Sequence, residues 1–110
     1  MITDAVKTLI LNSVIDVSID NIDVISLQNS SGEYFRKEYQ SKDIISPRER
    51  KYTFYLTETE GNGDIVGLSL CGDDATVTLG TGIEMAEQDV TIEKTDTRSL
   101  LIYWTVRVVE

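Results

Sequence analysis

The closing segment Ser99-Leu-Leu-Ile-Tyr-Trp-Thr-Val-Arg-Val108 constrains this chain more than any other stretch. Its period of two places Ile102, Trp104, Val106 and Val108 on one face, which is the pattern of a strand lying on a core. Asp89-Val-Thr-Ile-Glu-Lys-Thr precedes it, with Val90 and Ile92 on one face and a polar turn at Asp96-Thr-Arg98. The second strand runs to the terminus and needs a neighbour for its backbone groups. That predicts a complete small β domain.

Turn signals divide the rest of the chain into short β-rich runs. Val14–Ile19 and Ile22–Gln28 flank Asp20-Asn21 and predict a hairpin. Asn29-Ser-Ser-Gly32 predicts a second turn, followed by the mixed aromatic and charged run Glu33–Tyr39. The only proline, Pro47, marks residues 41–50 as a loop or a sheet edge. Lys51–Thr57 alternates, with Tyr52, Phe54 and Leu56 on one side. Glu58–Asp64 is a glycine loop, and Ile65–Leu70 is apolar on both faces, as a central strand is. Gly72-Asp-Asp74 predicts a tight turn, residues 75–79 a strand, and Gly80–Gln88 a break in the strand pattern. At the start, Ile2, Ala5, Val6, Leu9 and Ile10 recur at helical spacing behind a Thr3 or Asp4 cap, which predicts a short α-helix over 1–13. The expected fold is therefore mainly β. It is a single antiparallel β-sandwich domain, jelly-roll-like, with an N-terminal helix and strands over 14–110.

Composition excludes more chemistry than it suggests. With no histidine, the chain lacks the commonest general base and metal ligand. A lone Cys71 in an apolar run has no histidine to activate it and reads as a buried structural thiol. Gly80-Thr-Gly82 lacks the Gly-Lys-Ser/Thr continuation of a phosphate loop. The acidic clusters Asp73/Asp74, Glu58/Glu60/Asp64 and Glu84/Glu87/Asp89 do not follow a calcium-loop spacing, and read as solvated turns. No catalytic residues, cofactor or metal are therefore expected. A formal charge of −9 disfavours nucleic acid. No apolar run is long enough to span a membrane, and no signal peptide is visible, so synthesis and folding in the producing cell's cytoplasm are expected.

From Tyr52 to Val108, about half the chain, the sequence resembles small virion proteins of tailed bacteriophages, of the tail and tail-fibre kind. The matching residues are Ile65, Gly67 and Leu68, then Ile92, Lys94 and Thr95, then Leu100, Ile102, Trp104, Val106 and Val108. Ile2–Leu9 is similar to the family's opening helix, while Ser69-Leu70-Cys71 departs from its acidic-aromatic continuation. The resemblance implies a non-enzymatic structural protein of the virion, made in the host bacterial cytoplasm. It would assemble with copies of itself and with neighbouring virion proteins as a homo-oligomer. Val6, Leu9 and Ile10 on the first element are the expected partner contacts. A receptor- or glycan-binding module using Tyr34 and Tyr39 is the alternative, with a host-surface glycan as its ligand. A capsid decoration or head–tail connector protein is a further one.

Overall fold

In the computed structural model, residues 6–15, 20–96 and 98–108 are described. They form eight strands: β1 (Val6–Ile15), β2 (Ile22–Asn29), β3 (Gly32–Glu38), β4 (Ser41–Ser46), β5 (Glu49–Leu56), β6 (Gly63–Gly72), β7 (Ile83–Lys94) and β8 (Ser99–Val108). Two four-stranded sheets result, the first ordered β1-β8-β5-β4 and the second β3-β2-β6-β7. They share one core. The first sheet contributes Tyr52, Phe54, Leu56, Leu100, Ile102, Trp104 and Val106, and the second contributes Ile25, Leu27, Ile65, Leu68, Leu70 and Ile92. The fold is thus mainly β and sandwich-like, as the alternation of β5 and β8 requires.

Several sequence expectations are corrected. Residues 6–13 belong to a strand, not to the expected helix, and residues 1–5 lie outside the described residues. The stretch carries two periods at once. Leu9, Leu11, Ser13 and Ile15 recur at every second position, and Leu9, Leu11 and Ile15 pack on the core in that register. Pairing with β8 decides between the periods, because it supplies backbone partners along the whole of β1. That pairing is parallel, with Leu9 beside Ile102 and Leu11 beside Trp104, so the first sheet is mixed and not antiparallel throughout. The indole N–H of Trp104 donates to Ser13 Oγ at 2.9 Å and fixes the register.

Of the hairpin expected around Asp20-Asn21, residues 16–19 lie outside the described residues; β1, which ends at Ile15, and β2 lie in different sheets. Hairpins form instead at β2–β3, β4–β5 and β6–β7, each within one sheet. The parallel pairing of β1 with β8 departs from the all-antiparallel sheets of a jelly roll. The expected strand at 75–79 is irregular, and the expected break after Gly80 contains the start of β7. Here the left-handed backbone at Asp73 (φ 57°) and Asp74 (φ 77°) ends β6, and residues 73–82 loop out before β7 begins. Pro47 follows the edge strand β4, as anticipated. Central β6 is covered on both faces from Gly67 to Gly72, but Val66 is exposed beside a bulge.

Gly72 closes this corner. A Cβ there would stand 1.9 Å from the carbonyl oxygen of Asn21, whose chain runs alongside and accepts from Asp73 N–H at 3.0 Å. Gly72→Ala is therefore expected to lower unfolding free energy by at least about 2 kcal/mol, read from urea titration. An unchanged midpoint would mean the corner relaxes freely.

Candidate functional site

The two sheets have unlike outer faces. On the second sheet, Ser26, Gln28, Arg36 and Ser69 point away from the core, and the loop 73–82 lies over them. Arg36 is only 6% exposed. Its Nη1 donates to the carbonyls of Thr76 (2.9 Å) and Thr81 (2.8 Å), while its Nε donates to Glu33 Oε2 at 2.7 Å. Glu33 accepts in turn from Gly80 N–H at 3.0 Å and from the Ser26 hydroxyl. Gln28 Nε2 donates to Ser69 Oγ at 3.0 Å, and Ser69 donates to Glu84 Oε2 at 2.5 Å. Ala75 of the loop packs with Val24 and Cys71.

Burial would raise the Glu33 pKa, but the hydrogen bonds from Arg36 and Ser26 hold it below the ordinary glutamate range. Burial pushes the Cys71 thiol up, against the pull of Arg36, so this sulfur stays protonated and a poor nucleophile. The network therefore fastens the loop across the sheet.

A second buried cation ties down the glycine loop. Lys94 Nζ donates to Thr57 O (2.8 Å), Asn62 Oδ1 (2.9 Å), Glu58 O (3.2 Å) and Thr95 O (3.3 Å). Burial lowers its pKa, and nearby Glu60 and Glu58 oppose that shift. Among the described residues no group of three or more acidic, cysteine or histidine side chains converges as a metal site would.

Among the described residues, no loop lies over the outer face of the first sheet in the same way. The odd-numbered residues of β8 turn outward, because Leu100, Ile102, Trp104 and Val106 fill the core. Leu101 and Tyr103 accordingly stand beside Tyr55 and Thr53 of β5, and beside Thr8 and Ile10 of β1. Ile10 is 71% exposed and Val14 66%. Lys51 Nζ sits 5.0 Å from the centre of the Tyr103 ring, at the edge of the patch. Asn12, Val14, Glu49, Thr105 and Arg107 rim a shallow recess in the same face.

The sequence-based candidates divide accordingly. Ile10 lies on this face, whereas Leu9 turns inward against the core. The side chain of Val6 lies outside the described residues. Tyr34 donates its hydroxyl to Gly61 O at 2.7 Å and packs against the core. Tyr39, 37% exposed, meets the Tyr52 ring edge-on at 5.2 Å. The two tyrosines sit towards opposite ends of β3, each used internally, and form no common platform. Val14, Tyr55, Leu101 and Tyr103 were missed. Part of their signal was present, since Leu101 and Tyr103 interrupt the polar residues Ser99, Thr105 and Arg107 on the outward positions of β8.

No protein-family model, curated protein or solved structure matches this chain.

Two measurements check the anchors. Lys94→Met strips the donor from four oxygen atoms and is expected to cost about 1–3 kcal/mol of stability in urea titration. The depressed Glu33 pKa contributes stability that is present above the ordinary glutamate pKa and lost as pH falls through the lower folded value. Glu33→Gln should flatten that acid limb of a thermal-melt series; an unaltered limb would show that other carboxylates set it.

Proposed function

We propose that the protein is a non-enzymatic structural component of a bacteriophage virion. It assembles into the tail, tail tip or fibre complex through the outer face of its first sheet. One observation supports this mode of action above others: residues 73–82 cover part of the second sheet's outer face, whereas no described segment covers the first sheet's, where exposed Ile10 and Val14 share a face with half-buried Leu101, Tyr103 and Tyr55. Apolar and tyrosine side chains grouped on a flat face suit a protein partner. The virion setting rests on the resemblance carried by Ile92, Lys94, Trp104 and their neighbours.

The structure gives three of those resembling residues distinct tasks. Ile92 and Trp104 are core, and Lys94 clamps the loop 57–62. All three preserve a scaffold and leave contact to the surface. The glycan alternative loses its platform with the separation of Tyr34 and Tyr39.

The test is electron microscopy of particles carrying a tagged copy of this chain. Label is expected on the tail or its tip, and Ile10→Lys should reduce it while the free protein stays folded. Label on the head or neck would indicate a decoration or connector role, and particles without label would reject the virion reading.

A further inference from the structure

We infer that the occupant of this face is a second copy of the same chain, packed face to face about a two-fold axis. The inference rests on the assembly reading and narrows its partner.

Charge is the first ground. The chain carries −9 overall, so two copies repel one another across most of their surfaces. The outer face of the first sheet differs. Its charged side chains are Lys51 and Arg107 against Asp43 and Glu49, two of each sign. Lys51 lies 4.0 Å from Asp43, and Arg107 stands directly across from Glu49 in the register of β8 and β5. All four gather at one end, and the remainder of the face is Thr8, Ile10, Asn12, Val14, Leu101 and Tyr103 with the β5 residues beside them. A basic partner would be drawn to the acidic flank of the second sheet, where Asp64, Glu87, Asp89 and Glu93 are exposed. A copy of this chain finds least repulsion where the charges cancel.

Relief is the second ground. Ile10 protrudes, and the recess rimmed by Asn12, Val14, Glu49, Thr105 and Arg107 lies on the same face, at its charged end. Projection and hollow on one surface allow an isologous pair, in which each Ile10 seats in the other copy's recess.

The sheet edges are poorer routes to self-association. β4 is broken by a bulge between Ile44 and Ser46 and is followed by Pro47, two features that spoil edge pairing. β1 has its open edge turned toward β7, where Gln88 Nε2 donates to the carbonyl of Asn12 at 3.0 Å. Faces are left to meet.

Sedimentation velocity on the purified full chain tests this. A dimer is expected at micromolar concentration, and it should tighten as sodium chloride rises, because salt screens the repulsion between two acidic bodies. Ile10→Lys should weaken it by roughly thirtyfold, the scale of a central interface residue, with an unchanged melting temperature. Val66→Lys on the acidic flank should leave the dimer intact. A monomer at every salt concentration would overturn the inference, as would a dimer indifferent to Ile10→Lys or one that dissociates with added salt. A monomer whose incorporation into particles still needs Ile10 would overturn the self-pairing and keep the assembly reading. A monomer incorporated regardless of Ile10 would end both.

Discussion

Strand β8 lies between β1 and β5, and the rest of the architecture hangs on those two ladders. On one side its backbone pairs in parallel with the first strand, and on the other antiparallel with β5. Its inward residues, Leu100, Ile102, Trp104 and Val106, are fully buried and form the floor onto which the second sheet packs. A strand bonded on both edges and buried on one face has a single workable register, because a slip by one residue would exchange Trp104 with Thr105. The Trp104–Ser13 hydrogen bond ties the start of the chain to the same register.

With the core so defined, the two outer faces are left to be managed separately. Residues 73–82 cover the part of the second sheet's outer face around Arg36, where polar side chains are satisfied by one another and by the loop backbone, while the flank carrying Asp64, Glu87, Asp89 and Glu93 stays exposed. Arg36 is central because one guanidinium holds two carbonyls of the loop and a carboxylate together. Among the described residues, no segment of the chain lies over the outer face of the first sheet. Difference in covering, more than difference in composition, separates the two outer faces in this molecule.

Much of this was legible beforehand, and the exceptions have physical causes. The cores of β5 and β8 were read correctly because strict alternation reports directly on one-sided burial. The glycine loop at 58–64 and the turn at 29–32 were read from residues that favour turns for local backbone reasons. Strand β1 was misread as a helix because its apolar residues satisfy both periods, and its partner lies at the far end of the chain. Residues 75–79 alternate as a strand does, yet Arg36 binds the Thr76 carbonyl, Thr81 folds back on Thr76 and Thr78, and they stay irregular. Ile10 was named as a partner contact on an expected helix and stands exposed on a strand instead, while Tyr34 and Tyr39 were nominated from their charged neighbourhood and pack with Gly61 and Tyr52.

The sequence alone determined that the chain is β-rich, which side of β5 and β8 is buried, where most turns fall, and that histidine chemistry is excluded. These are local properties, set by side-chain alternation and by the residue inventory. Only tertiary structure decided that the first and last strands run parallel, that Lys94 and Arg36 are internal anchors, and that residues 73–82 fold over part of one outer face. Those outcomes depend on contacts between residues tens of positions apart, such as Arg36 with Thr81 and Ser13 with Trp104, and periodicity carries no information about which distant segments meet.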